Sequence, residues 1–470
     1  MLDLPSTYID LEKYTDDLCS FINTPLVRQI TGGIHVNDAL IHNAWDGLPA
    51  EWTGWWSRWP DHRLAQQDLI DSIDEDESVH DDGRGTTDDE VLRTRPESLR
   101  NWLSQLKALA ITRTQTPGPT EALPEVLQTR MKTKKIAEVA RATNLIHEIC
   151  ESRGIRRVVD MGSGQGYMSI SLAHLFPELQ VLAIDGSESQ ITGSQTFADS
   201  LDIPHSRLTH MVHWIDGSST LADKVRDWAA GDRCILVGLH ACGNLSEHMI
   251  RYFATMSCMD ALAAVGCCYN HIVPRSDTNP DGFPISAALR DRNVTLSPTA
   301  LMTGCQAPNN WPRPDPHASS VFGRRRLYRA MLEKAFHDHG IRPASDGGSE
   351  RPAWGIRKGD MASFTAFAHR AMDCLGVDAA QRPTDEQLRA YEDEYKGWEG
   401  RIAILWTLSV LCCKVVESVI VVDRYRYLAE RQDVQDVDVV PVFDVKVSPR
   451  NLMIVATRGR GGNATGSGTV

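Results

Sequence analysis

Nine residues constrain this chain more than any others: Val158-Val159-Asp160-Met161-Gly162-Ser163-Gly164-Gln165-Gly166. Two β-branched residues start a strand, and three alternate glycines make a turn. The helical pattern YMSISLAHLF follows, then a second apolar run, VLAID, which stops at Asp185, 25 residues beyond Asp160. Strand, glycine turn, helix and strand in that order open a parallel βαβ unit. Glycine admits positive φ and lets a ligand approach the backbone, and the helix start behind the turn favours an anionic group. A dinucleotide fingerprint would need glycine where Tyr167 stands, and no Walker pattern is present.

The rhythm continues. A helical pattern over 130–157, with Ile136, Val139, Ala140, Thr143 and Ile146 on its inner face, ends near Gly154 and leads into the first strand. Further apolar runs, LTHMVHW, CILVGL and ALAAVGCC, alternate with helical stretches. Two final runs, VDVVPVFDV (437–445) and NLMIVATR (451–458), predict an antiparallel hairpin at the sheet edge, with the turn Ser448-Pro449-Arg450-Asn451 between them. The expected fold is therefore α/β, a Rossmann-like doubly wound sheet with a C-terminal antiparallel hairpin. Residues 1–73 form a helical region whose tryptophans (Trp45, Trp52, Trp55, Trp56, Trp59) are expected to pack, and 74–95 an acidic disordered linker. Residues 96–270 carry a helix with Leu99, Trp102, Leu103, Leu106 and Leu109 on one side, then the core. An insertion of loops and helices spans 271–400, a long helix and the hairpin 401–458, and a disordered tail 459–470.

Charge narrows the partners. The formal net charge is -13, but Asp74 to Glu90 holds nine acidic residues against the single Arg84, and the remainder of the chain is close to balanced. Three basic clusters stand outside it: Arg130/Lys132/Lys134/Lys135, Arg153/Arg156/Arg157 and Arg324/Arg325/Arg326/Arg329. Each is either a solvated helix face or part of a positive rim for RNA. The run from Ala403 to Val422 is long enough to cross a bilayer, but Lys414 and Glu417, read as a helix-surface pair, argue for a core helix and against membrane insertion. Eleven cysteines, an odd number including two adjacent pairs, with no N-terminal apolar region, point to a reducing compartment, cytoplasm or nucleus. Oligomeric state is not legible.

The D-x-G-x-G-x-G pattern is that of class I S-adenosylmethionine-dependent methyltransferases. Asp160, Gly162, Ser163, Gly164 and Gly166 are the expected donor-binding residues of the turn, with Asp185 accepting from both ribose hydroxyls. Asp216, in HWIDGSS, either faces the adenine amino group or makes a simple Asp-Gly turn. The fourth and fifth strands end in His240-Ala241-Cys242-Gly243-Asn244 and Cys267-Cys268-Tyr269-Asn270, where a doubly wound sheet gathers reacting groups. No metal is expected, since this spacing matches no common zinc site and adjacent cysteines rarely share an ion. A nucleophilic Cys267 or Cys268 is an alternative to small residues shaping a pocket.

The phrases GLHACGNLS, GCCYN, MKTKKIAEV, GFPIS, VVDRYRYLAER and VPVFDVKVSPRNLMIVA, with the N-terminal LPAEW and PESLRNWL, resemble the methyltransferase-like protein twenty-five family over most of the chain. HACG and CCYN are also similar to motifs of a eukaryotic tRNA 2'-O-methyltransferase family, whose zinc-finger residues are not found here. These resemblances imply S-adenosyl-L-methionine as cofactor. Ser163 and Gln165 would supply amides in the turn, while His240, Cys242, Asn244, Cys268 and Tyr269 would line the acceptor side. His240 is the best base, with Cys268, Tyr269 and Asn244 as its catalytic neighbours. The expected activity is methyl transfer to RNA; a protein or small-molecule acceptor, or a non-catalytic scaffold, are the alternatives.

Overall fold

The computed structural model describes residues 2–33, 36–59, 61–74, 95–118, 121–308, 321–342, 355 and 357–459. Nearly all of the expected acidic linker, all but one residue of the expected tail, and the Pro-rich stretches 309–320 and 343–354 lie outside the described residues. The chain forms two compact units. A sheet unit takes Met1–Asn23, Leu109–Leu296 and Lys414–Val470, and a helical unit takes Thr24–Ala108 and Ser297–Cys413.

In the sheet unit seven strands lie in the order β3-β2-β1-β4-β5-β7-β6, with β1 Arg157–Met161, β2 Gln180–Asp185, β3 Leu208–Val212, β4 Cys234–Cys242, β5 Met259–Cys267, β6 Val434–Pro441 and β7 Leu452–Arg458. The strands β1 to β5 are parallel. β7 runs antiparallel between β5 and β6. The central strands are buried on both faces (Val158, Val159, Leu182, Ile184, Leu236, Val237, Leu262 and Val265 at 0% exposure), which explains why they read as unbroken apolar runs without alternation. Strand order reverses between β1 and β4, so a crevice opens beyond their C-terminal ends.

The helix before β1 spans Thr133–Arg153 and stops where Gly154 and Ile155 donate back to the Glu151 and Cys150 carbonyls. Its inner face holds Val139, Thr143 and Ile146 as expected, together with a charged residue, Glu138, at 1% exposure. The β4 strand runs three residues past its apolar stretch to include His240 and Cys242.

The helical unit explains the tryptophans. Trp45, Trp52, Trp55 and Trp56 are 5% exposed or less, and Trp52 lies 5.5 Å from Trp102, centroid to centroid. Its core joins Ala39, Leu40 and Ala44 to Leu327, Phe336, Phe364 and Ile402, so the N-terminal region and most of the insertion share one interior. Neither segment can cover its own apolar face, and chain order concealed their partnership.

Among the described residues one helical run, Glu399–Ala429, has the length and apolarity to cross a membrane, and 78% of its apolar window is buried within the protein. Glu417 is not the surface partner of Lys414. It is 1% exposed, and its carboxylate receives Arg113 and Arg450 (2.7 Å) and the Tyr269 hydroxyl (2.7 Å).

Candidate active site

The glycine turn caps β1. Gly162 and Ser163 both donate their amides to the Ile184 carbonyl (2.9 and 3.0 Å), tying the turn to β2. The Gly164 amide donates to Asp185 Oδ2 at 2.9 Å, and the Ser187 amide to Oδ1 at 2.9 Å. Gly164 has φ +54°, and a Cβ placed on it would meet nothing within 4 Å: the outer side of the turn is bare backbone. Gly166 has φ +69°, but there a Cβ would fall 1.9 Å from Ser194 Oγ, so this glycine serves close packing behind the turn.

The Ser163 amide, expected to face a ligand, is committed to Ile184; what Ser163 offers is its hydroxyl oxygen, shielded from solvent and without a hydrogen-bond partner. The Gln165 side chain donates to Gln190 Oε1 at 2.6 Å. Asp160 lies under the turn, not at its rim. It is 2% exposed and accepts from Ser169 Oγ at 2.5 Å, fastening the Tyr167–Leu175 helix to β1. Burial, and the nearby Asp185 charge, push its carboxyl up to about 7 against the pull of the Ser169 hydroxyl.

Beyond Asp185, Trp214 is 75% exposed and lies against Gly186, an apolar platform that the sequence reading passed over. Asp216 is exposed, and its carboxylate accepts from the Ser218 amide at 2.9 Å. Hydrogen bonding from the Ser218 hydroxyl, then from its amide, holds the Asp216 pKa below the ordinary carboxylate range and makes it the Asp of a simple turn. Of the two readings left open for it, the turn is the one formed.

The expected acceptor side begins with an irregularity. β4 carries one extra residue between Gly238 and Ala241 relative to β5, a bulge that contains His240. Bulges re-aim side chains at sheet ends. His240 Nε2 lies 3.1 Å from Oε2 of the buried Glu138, which also receives Lys135 Nζ (2.9 Å) and, on Oε1, the Ser448 hydroxyl (2.7 Å). Burial pushes the Glu138 carboxyl up, but the hydrogen bonds from His240, Lys135 and Ser448 outweigh it and hold the group ionised well below the usual range. Around this pair lies an open cavity of about 370 Å³, lined by Arg130, Lys132, Lys134, Lys135, Tyr167 and His240 among others. A smaller cavity of about 40 Å³ in the helical unit has no titratable side chain on its wall.

The first basic cluster lines this cavity. Arg153 and Arg157 are paired with Asp260 (2.7 Å) and Asp232 (2.7 Å), and Arg156 with Glu151, near the N-terminal end of β1. In the helical unit Arg324 meets Glu399 at 3.4 Å and Arg326 lies over Trp406.

The expected acceptor residues divide. Cys242 and Cys268 reach the strand ends, Cys242 exposed and Cys268 half-buried. Tyr269 does not: it is 1% exposed, its hydroxyl donates to Glu417, and burial drives its pKa well up, so it is a core residue and not a catalytic one. Asn244 accepts from the Val273 amide at 2.9 Å and pins the following loop, a positioning role. The Cys242 thiol is shifted below its ordinary range, chiefly by Cys267 Sγ at 3.3 Å, with His240 and His271 adding to the effect. Glu138 was missed because a single Glu in a Lys-rich helix start reads as a surface residue. The Ser448-Pro449-Arg450-Asn451 turn stands out in the sequence as the part of the hairpin to inspect first, but with a structural role as its default and no link to Glu138.

Residues 133–275 match the family described as a methyltransferase domain. "Probable methyltransferase-like protein 25" of Homo sapiens is 26% identical over 265 residues, 53% of this chain and 40% of the relative. The Mus musculus protein of that name is 25% identical over 53% of this chain and 41% of its own length. A Bos taurus "Glutathione S-transferase C-terminal domain-containing protein" is 25% identical over 39% of this chain and 26% of the relative. The chain thus spans about two fifths of the methyltransferase-like relatives it matches. Residues 133–275, which carry β1 to β5 and the glycine turn after β1, are thus similar to a methyltransferase domain, and about half of the chain is similar to the methyltransferase-like protein 25 relatives.

Proposed function

We propose that this protein transfers a methyl group from S-adenosylmethionine to an RNA. The observation that carries the reading is the juxtaposition, at the C-terminal ends of β1 and β4, of a bare glycine turn and an open cavity bounded by four cations, Arg130, Lys132, Lys134 and Lys135. The turn fits the donor. Each Asp185 oxygen accepts one backbone amide and keeps a lone pair for a ribose hydroxyl. The partnerless Ser163 hydroxyl and the exposed Trp214 ring supply a polar and an apolar contact on either side. The bound cofactor supplies a methyl group on a sulfonium, whose in-line displacement needs alignment and exclusion of water more than acid–base help.

Glu138 sets what His240 does. With the proton on Nε2 directed at Glu138, the lone pair is on Nδ1, ready to take a proton from an acceptor hydroxyl or amine as it is methylated. Ionised Glu138 then stabilises the imidazolium. The four cations hold a polyanion without reading its sequence, which suits RNA better than a neutral small molecule.

The test is incubation with tritiated donor and total cell RNA beside total protein. Label in the RNA fraction, lost in Gly164→Arg and reduced severalfold in a Lys132→Ala/Lys134→Ala double variant, is the expected result. Label confined to protein would replace the acceptor class. A calorimetric titration without saturable heat would leave only the scaffold reading.

A further inference from the structure

Folding removes both objections that the sequence raised against a metal. Cys242 and Cys267 are 25 residues apart, but β4 and β5 pair them directly as cross-strand neighbours, with Sγ atoms 3.3 Å apart. Cys268 follows Cys267 at once, and in a continuing strand its thiol would point to the opposite face. The strand does not continue. Cys268 has φ +49° and ψ +49°, a left-handed conformation that non-glycine residues adopt rarely and at a cost of about 1 kcal/mol or more. The turn brings its Sγ to 3.6 Å from that of Cys267. All three sulfurs lie within 4.8 Å of one another, and among the described residues no fourth donor joins them at that distance.

We propose that Cys242, Cys267 and Cys268 bind one zinc(II) ion through three thiolates. Tetrahedral zinc with Zn–S bonds of about 2.3 Å separates its sulfurs by about 3.8 Å, so the pairs at 3.3 and 3.6 Å need open by only a few tenths of an ångström to hold it. Three uncharged thiols gain little from such crowding, since S–H is a weak donor. As thiolates they repel unless a cation lies between them. Binding releases to solvent the protons the three thiols carry, so affinity rises with pH. Cys242 is exposed and opens the cluster to solvent beside the His240 bulge. The fourth position is left for water or an acceptor atom, the arrangement of a reactive zinc and not of a closed structural one.

The experiment uses the full chain, purified in phosphine reductant without a metal-binding tag. Zinc content is measured directly and affinity by competition with a chromophoric chelator. One zinc per chain with a Kd of about 10⁻⁸ M or tighter is expected. Cys242→Ser and Cys268→Ser should each weaken binding about 100-fold or more, and Cys374→Ser should not. Cobalt(II) exchanged into the wild-type protein should show intense thiolate-to-metal charge-transfer absorption, a readout that does not require any variant to fold. A wild-type protein with fully reduced thiols and no zinc, a Cys242→Ser variant that holds zinc as tightly, cobalt bound without those bands, or a cluster that takes copper(I) and rejects zinc(II) would each overturn the assignment.

Discussion

Gly164 and Gly166 share a left-handed backbone and differ only in what surrounds them, so replacing each with alanine separates two roles of one turn. Alanine at either position bears the left-handed penalty, roughly 1–2 kcal/mol. At Gly164 nothing lies within 4 Å of the new Cβ, and no steric cost is added. At Gly166 the Cβ would sit 1.9 Å from Ser194 Oγ, a fully buried hydroxyl within 2.9 Å of His210 Nε2. Displacing it adds about 1–3 kcal/mol of overpacking and about 1 kcal/mol for the disturbed hydrogen bond. Urea unfolding should therefore show Gly164→Ala destabilised by about 1–2 kcal/mol and Gly166→Ala by roughly 3–6 kcal/mol. Donor affinity should move oppositely to packing: the methyl group of Gly164→Ala projects into the space a ligand needs, and calorimetry with S-adenosylmethionine should show a loss of about tenfold or more, about 1.4 kcal/mol. A Gly164→Ala protein that unfolds as expected yet binds the donor as tightly as wild type would show that the outer side of the turn is not where the cofactor rests.

Asp160 and Glu138 should give opposite pH signatures. Asp160 has a raised native pKa, so its contribution is full below about pH 4 and lost as pH rises toward about 7, on the order of 4 kcal/mol; Asp160→Asn, which can still accept from Ser169, should remove that slope and be more stable than wild type at pH 8 in urea titrations. Glu138 has a lowered native pKa, so its stabilisation is present above the ordinary carboxylate range and is lost only as pH falls through and below it. Glu138→Gln should flatten the acid side of the stability curve and lower kcat about 10–100-fold with KM little changed; a KM effect alone would remove its place behind His240. Glu417→Ala leaves Arg113 and Arg450 buried without their shared carboxylate, and equilibrium unfolding should show a loss of about 3–5 kcal/mol. A cost under 1 kcal/mol would mean the network contributes nothing to stability.

Local chemistry was legible where a short stretch determines its own conformation. The turn at 162–166, the strand ends at Asp185 and His240, the helix stop at Gly154 and the C-terminal hairpin could all be read in chain order. What stayed hidden were partnerships between distant segments. Glu138 and His240 are 102 residues apart, Glu138 and Ser448 310, and no periodicity relates them. The same holds for Trp52 with Trp102 and for Cys242 with Cys267, which need the fold before they meet. Tyr269 misled because it adjoins a strand end where reacting groups are expected: a residue there can turn inward, and only the buried Glu417, 148 residues on, reveals that it does. Asp216 misled less, since an Asp-Gly pair carries its turn in plain sight.

The placement of β7 between β5 and β6 has a consequence for synthesis. A ribosome will have delivered the glycine turn, Asp185 and His240 well before it reaches 452–458, and until then the outer edge of β5, with Ala261, Ala263 and Val265, has no neighbour to bond. The hydroxyl that steadies Glu138 arrives in the same late stretch, at Ser448. A product ended before the hairpin would keep the glycine turn but lack the Ser448 hydroxyl beside Glu138, and the edge of β5 would be left unpaired, a template for self-association.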